Sequence, residues 1–198
     1  MLKIGITGNI GGGKTTVSKV FEVLGIPVFY ADDAAKTVMV TDPELIDSLK
    51  KTFGSESFFG DGALNRKHIA SMVFSDEEKL NKLNSLVHPA VFRAFDTWVE
   101  QIQGAPYVMK EAALLFESSS YKMCDYSIMV TAPLELRIER VMKRDGLSQA
   151  EVESRNARQF TEEKKILLAD YVIKNDDSEL VIPQVLALHQ QFLSLTAK

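Results

Sequence analysis

Gly8-Asn9-Ile10-Gly11-Gly12-Gly13-Lys14-Thr15 is the stretch on which the reading of this chain turns. It fits G-x-x-x-x-G-K-[ST], a pattern whose backbone amides cradle a polyphosphate. Its flanks give the pattern mechanical sense. Leu2 to Thr7 is an apolar run long enough for one buried strand, and after the loop Val17, Val20, Phe21 and Leu24 recur at helical spacing. A strand therefore feeds a glycine loop, and the loop opens a helix. Backbone N–H groups of such a loop and helix N-terminus converge on one spot, where a phosphate satisfies them. In this pattern the lysine, Lys14, reaches the β- and γ-phosphates, and the hydroxyl of Thr15 ligates Mg²⁺. The bland reading is a glycine-rich turn that holds no ligand. Three consecutive glycines followed by Lys-Thr fit that reading poorly, and the stretch predicts nucleoside triphosphate binding.

Bulk properties narrow the class. A chain of 198 residues with 45% hydrophobic residues holds one domain of ordinary size, or a core with small insertions. The net charge of −4 supplies no overall basic field to attract nucleic acid or an anionic membrane, so any anionic ligand needs a local cluster. The single cysteine, Cys124, excludes an internal disulfide and suits a reducing compartment; it reads as a small buried residue beside a strand rather than a reactive thiol. No apolar stretch approaches a membrane span, and the N-terminal strand leaves no room for a signal peptide. The expectation is a soluble cytoplasmic protein without nucleic-acid or membrane partners. Oligomeric state stays open, between a monomer and a weak homo-oligomer.

Along the chain, Gly25 is placed to end the first helix, and Ile26 to Tyr30 reads as a second strand closing on Ala31-Asp32-Asp33. From there to about Gly104 the pattern is helical. Its apolar faces are marked by Ile46, Leu49 and Phe53, by Leu80, Leu83 and Val87, and by Phe92, Phe95, Val99 and Ile102. The turn signals Gly60-Asp61-Gly62 and His88-Pro89 are expected to separate these pieces. Strands return at Tyr107 to Met109, Tyr126 to Thr131 and Tyr171 to Ile173. Between the last two, Pro133 opens a helix running towards Arg144, and Ser148 with Glu151 predicts a capping box for another ending near Phe160. A C-terminal helix follows from about Ser178, with Pro183 in its first turns. Strands alternating with helices predict a parallel sheet, with the long helical stretch as an inserted subdomain. Ligands of such sheets sit beyond the carboxyl ends of the strands.

That edge selects the candidates. Asp32, after strand two, can orient an acceptor hydroxyl and take its proton, or it can serve as a helix N-cap, and Asp32 and Asp33 can divide these roles. Glu111, at the end of the next strand, reads either as a carboxylate of the site or as a hydrogen-bonded strand end. Arg137, Arg140 and Arg144 share one helix face, with Arg155 and Arg158 on the next helix. Guanidinium groups neutralise charge on a transferring phosphoryl group. By charge pattern alone, however, a solvated face paired with Glu135, Glu139, Glu151 and Glu153 is the stronger reading. His68 and His88 lie apart without a Cys/His cluster, so a metal site of their own is not expected. His88-Pro89 reads as a turn or a substrate contact, and Trp98 as core.

Taken together these residues resemble the dephospho-CoA kinase family, over nearly the whole chain. The resemblance rests on Ile6 to Thr16, Ala31-Asp32, Leu83-Asn84 with His88-Pro89, and Leu114-Leu115-Phe116-Glu117. It continues through Arg140, Arg144-Asp145, Arg155, Gln159, Ala169-Asp170 and Asn175. It implies an α/β P-loop kinase that uses ATP and Mg²⁺ to phosphorylate the 3′-hydroxyl of dephospho-CoA. The implied architecture is a parallel-sheet core flanked by helices (1–33, 105–133 and 166–198), a helical acceptor-binding insertion (34–104) and a small helical lid (134–165). The implied nucleotide contacts are Gly11, Gly12, Gly13, Lys14, Thr15 and Thr16 in the loop, with Arg140 and Arg144 from the lid side. Lys14, Asp32 and Arg140 carry the catalytic roles; Asp32, His88 and Glu111 are the acceptor candidates; Thr15 is the metal ligand. The chain departs from the family's usual loop serine at Gly12. It also departs from Asp-x-Pro at Glu111-Ala112-Ala113, which leaves the role of Glu111 open. A nucleoside or nucleotide kinase of the same fold is the alternative function, and a noncatalytic ATP-binding regulator a second. A switch GTPase is disfavoured, because neither Asp-x-x-Gly as a metal motif nor Asn-Lys-x-Asp is found.

Overall fold

The computed structural model describes residues 1–74 and 76–196. Ser75, Ala197 and Lys198, which fall within the expected insertion and core segments, lie outside the described residues. The chain divides into two compact units, Met1–Tyr30 with Ile102–Lys198, and Ala31–Gln101.

The first unit is built on five parallel strands, β1 (Leu2–Thr7), β2 (Val28–Tyr30), β3 (Tyr107–Glu111), β4 (Tyr126–Thr131) and β5 (Tyr171–Lys174), in the order β2-β3-β1-β4-β5. The expected α/β parallel sheet flanked by helices is thus the observed fold. Three strands differ from expectation, β5 by one residue, since it runs to Lys174 rather than Ile173. β2 starts at Val28 rather than Ile26, and β3 runs on to Glu111, so Glu111 lies within the ladder, in register with Ile6 and Tyr30. One face of the sheet is covered by α1 (Lys14–Val23) and α9 (Val181–Thr196). Ile4, Ile6, Met109, Ile128, Val130 and Ile173 pack there against Val17, Phe21, Val185 and Phe192, all buried. Phe192 meets the rings of Tyr107, Tyr126 and Tyr171 in turn, so one side chain pins α9 across three strands. Next to Gly5 of β1 there is space only for a hydrogen, because a Cβ would stand 2.8 Å from Leu115 and 3.2 Å from Cys124. Cys124 is half-buried there.

Three helices return the chain from β4 to β5: α6 (Leu134–Asp145), α7 (Gln149–Asn156) and α8 (Glu162–Leu168). The capping box of Ser148 and Glu151 forms as expected. The helix it opens does not reach Phe160, however, but stops at Asn156. A second cap then starts α8, the Thr161 side chain accepting from the Lys164 N–H. Arg137 explains the break: its Nη1 donates to Asn156 Oδ1 at 2.8 Å, and its Nε faces Glu162 at 3.4 Å. Both ends of the break are thereby tied to α6.

The second unit is helical: α2 (Ala31–Thr41), α3 (Pro43–Phe53), α4 (Arg66–Val73) and α5 (Glu77–Gln101). His88-Pro89 does not separate two helices, contrary to the turn expectation; Pro89 lies inside the 25-residue α5. Proline removes one helical hydrogen bond. Here Val87, Ala90, Val91 and Phe95, all buried, hold the helix together across that gap. Asp42 caps α3, accepting from the Leu45 N–H at 3.0 Å, and binds Arg93 of α5 at 2.6 Å. An open groove of about 740 Å³ in this unit is lined among others by Val38, Thr41, Ala90, Ala94, Trp98 and Gln101. No described helix is long and apolar enough to cross a membrane.

Candidate active site

Parallel pairing sets the carboxyl ends of all five strands along one edge of the sheet. The glycine loop leaves β1 at that edge and turns into α1. Gly11 and Gly13 take φ +78° and +91°, the left-handed region open to glycine. A Cβ on Gly11 would strike the carbonyl oxygen of Arg137, and one on Gly13 the Nδ2 of Asn175. The loop is thus pressed between α6 and the segment after β5, with no room for side chains. Gly13 is also the N-cap of α1 and gives its first turn no side-chain hydrogen bond. The amides of Lys14, Thr15 and Thr16 therefore open the helix without a side-chain acceptor, the arrangement that favours an anion.

Lys14 stands 3.5 Å from Glu111, whose carboxylate is 6% exposed at the end of β3. A lysine on the first helical residue and a carboxylate on the neighbouring strand are brought together by the sheet register alone. Two sequence candidates that stand a whole unit apart in the chain, at positions 14 and 111, thus share one site. Thr15 and Thr16 are exposed on the first turn of α1.

Arg140, of α6, donates from Nη1 to the Asn175 carbonyl at 2.9 Å and pairs with Asp177 at 3.5 Å. Asn175 in turn donates from Nδ2 to the Gly12 carbonyl at 3.0 Å. Arg140 therefore reaches the loop through one residue. Arg144 behaves differently: its guanidinium lies on Asp145 at 2.7 and 2.8 Å, on the exposed side of α6. The one helix face inferred from spacing thus splits into three environments. Arg137, read from its charge pattern as solvated, is 4% exposed. Burial pushes its guanidinium below the usual range, and the carboxylate of Glu162 opposes that shift most.

Asp32 and His88 belong to the helical unit. Asp32 is exposed in the first turn of α2, which begins at Ala31 directly after β2. Because the helix has already begun, the N-cap reading of Asp32 does not hold. His88 lies within α5 with its ring stacked on Phe92 at 6.3 Å. Among the described residues, no group of three or more His, Cys, Asp and Glu side chains is placed to hold a metal ion by itself.

Three residues that no role had been assigned to complete the loop's surroundings. Gln159 accepts the Ile10 N–H at 2.8 Å, Glu117 accepts the Phe160 N–H at 2.8 Å, and Lys165, fully buried, lies 3.0 Å from Glu117. Gln159 and Glu117 stand among the residues of the family resemblance, which was their signal. Lys165 had none, since a lysine in a run of Glu-Glu-Lys-Lys reads as solvent-facing.

The family model for dephospho-CoA kinase matches residues 2–180. A dephospho-CoA kinase of Bacteroides fragilis is 39% identical over 187 residues, covering 94% of this chain and 91% of that protein. One from Pseudoalteromonas translucida is 38% identical over 196 residues, 98% of this chain and 93% of its own length. Among solved structures, the Thermus thermophilus protein TT1252 superposes with a TM-score of 0.84 at 37% identity, covering 96% of both chains.

Proposed function

The chain belongs to the dephospho-CoA kinase family, and on that premise we propose that it transfers the γ-phosphoryl group of ATP to the ribose 3′-hydroxyl of dephospho-CoA, giving CoA and ADP in the cytoplasm. The observation that carries the reading is the glycine loop itself, closed against Arg137 and Asn175, with Lys14 beside Glu111 at the sheet edge. The amides that open α1 suit the phosphates, and Lys14 supplies a fixed positive charge against them. Phosphoryl transfer passes through a loose state with charge spread over the transferred oxygens, so placement of cations weighs more than base strength.

Thr15, exposed on the first turn of α1 directly after Lys14, would hold Mg²⁺ through its hydroxyl together with the phosphate oxygens. When bound, the cation would draw charge from the β- and γ-oxygens. Glu111 holds Lys14 in place from the strand side. Arg140, gripped by the Asn175 carbonyl and Asp177, presents its guanidinium to the nucleotide from the lid segment 134–165. Arg144 would be recruited from Asp145 when nucleotide is present. Asp32 is assigned to orient the acceptor hydroxyl and receive its proton. Its position directly after β2, at the carboxyl end of a strand, supports that role. The helical segment 34–104, with its open groove, is assigned to the acceptor, and His88 and Glu111 to its neighbourhood.

The test is ADP release from Mg-ATP with dephospho-CoA as acceptor, beside adenosine, AMP, CMP and no acceptor. Turnover selective for dephospho-CoA, with CoA as product, is the expected result. Turnover with only a nucleoside or nucleotide would overturn the acceptor assignment and keep the phosphate loop. ATP binding without acceptor-dependent turnover would overturn the enzyme reading.

A further inference from the structure

Around the carbonyl of Ala113, just past β3, the first unit builds a part-buried polar knot. That oxygen receives Lys165 Nζ at 2.9 Å, Gln159 Nε2 at 3.3 Å and Thr7 Oγ1 at 3.4 Å. Lys165 also sits 3.0 Å from Glu117 Oε1, and that same oxygen accepts the Phe160 N–H at 2.8 Å. From this knot two bonds run into the phosphate loop. Gln159 Oε1 accepts the Ile10 N–H at 2.8 Å, and Asn9 Nδ2 donates to the Phe160 carbonyl at 3.0 Å. Asn9 is 2% exposed and Lys165 is 0% exposed, whereas Ile10, Glu117, Gln159 and Phe160 are half-buried.

A buried ammonium is costly unless it is paired and hydrogen-bonded. Burial pushes Lys165 below the usual lysine range, and Glu117 opposes that shift. A hydrophobic residue of similar volume would bury there without that cost, so the charged group calls for another explanation. What the arrangement does geometrically is plain. It takes the Ile10 amide out of the set of donors available to phosphate and fixes the first half of the loop from behind.

We propose that Lys165 and Gln159 are positioning residues for nucleotide binding: clamped on the Ala113 carbonyl and Glu117, they lock the Asn9-Ile10 half of the phosphate loop into its phosphate-ready shape. The segment 159–165 is on this view a fixed strut of the loop, although it closes the stretch assigned to the lid. The proposal rests on the ATP-dependent reading above. Neither residue touches the reacting atoms, and both act through the loop backbone.

The test compares Gln159→Leu, Lys165→Met and the double variant with the wild-type chain. ADP binding is measured by calorimetry, KM for Mg-ATP and for dephospho-CoA by kinetics, and folding by thermal melts. Lys165→Met leaves the Glu117 carboxylate buried without its cation. Lys165→Met combined with Glu117→Gln is therefore made as well, and Gln159→Leu alters no charge. Each folded variant is expected to weaken ADP binding and raise KM for Mg-ATP about tenfold, with KM for dephospho-CoA unchanged. Gln159→Leu with Lys165→Met should cost little more than either change alone, because both act through one lock. Unaltered ADP binding in folded variants would overturn the proposal, as would equal rises in both KM values or additive losses. Wild-type chain that binds no ADP would overturn the ATP-dependent reading, and the proposal with it.

Discussion

Replacing Gly11 with alanine separates two costs that ordinarily travel together. The first is conformational: a Cβ on a residue in the left-handed region costs about 1 kcal/mol or somewhat more. Gly25, at φ +83° with nothing within 4 Å of an added Cβ, isolates that cost, so Gly25→Ala is the control. The second is steric. At Gly11 the new Cβ would meet the Arg137 carbonyl oxygen and lie 2.9 Å from the Arg137 carbonyl carbon and Cα. Those are backbone atoms and cannot turn aside. Arg137 is itself held, its Nε on the Ala132 carbonyl at 2.9 Å and its Nη1 on Asn156 at 2.8 Å. Overpacking of this kind costs about 1–3 kcal/mol. Gly11→Ala should therefore lose about 2–4 kcal/mol in urea unfolding, against about 1 kcal/mol for Gly25→Ala. The loss should also appear in function, because relief of the overlap moves the loop. ADP binding by calorimetry should fall about tenfold or more in Gly11→Ala and stay unchanged in Gly25→Ala. If both variants lose equal stability and Gly11→Ala binds ADP like wild type, the close approach of α6 to the loop is not what shapes it.

Other perturbations read different parts of the molecule. Arg140→Ala removes a charged donor from the Asn175 carbonyl and should raise KM for ATP about tenfold, the worth of one charge-assisted bond; unchanged ATP kinetics would count against that contact. Asp32→Asn should lower kcat roughly 100-fold while leaving ATP affinity nearly intact, whereas a merely structural Asp32 would lower stability with activity per folded molecule preserved. Asp42→Ala should cost about 1 kcal/mol as a lost helix cap. The Leu45 N–H above all holds the Asp42 carboxyl below its usual range, and Arg93 adds to the effect against desolvation. The cap's ionic contribution is therefore present above the ordinary carboxylate value, and the gap between wild type and variant should narrow as pH falls through the folded-state value. Burial pushes the Cys124 thiol up to about 11, so folded protein should alkylate slowly at pH 8 and faster as pH rises towards that value. Alkylation at pH 8 as fast as in the unfolded chain would contradict the burial.

Much of the fold was legible because each element carried its own local signal. The glycine loop with its flanking strand and helix needed only neighbours in sequence, as did the capping box at Ser148. Pro89 misled for the same reason. Its local preference marks a boundary, and only the burial of Val87, Ala90, Val91 and Phe95 shows why α5 runs through it. The stop of α7 at Asn156 was likewise invisible, because its cause, Arg137, lies on another helix.

What the chain determined by itself was chemistry at short range: a phosphate loop and strands whose carboxyl ends carry the candidates. Short-range pattern is legible because periodicity, caps and turns act over a few residues. What only the tertiary structure decided was which side chains share a site. The pairing of Lys14 with Glu111 came from the register of β1 against β3. The burial of Arg137, expected in solvent from its charged neighbours, and of Lys165, which no local signal singled out, came from packing against carbonyls and carboxylates of other elements. Such bonds form across 43 to 163 positions of sequence, as Phe160 does with Glu117 and Asn175 with Gly12. No local pattern encodes them, because their partners meet only after the sheet has closed.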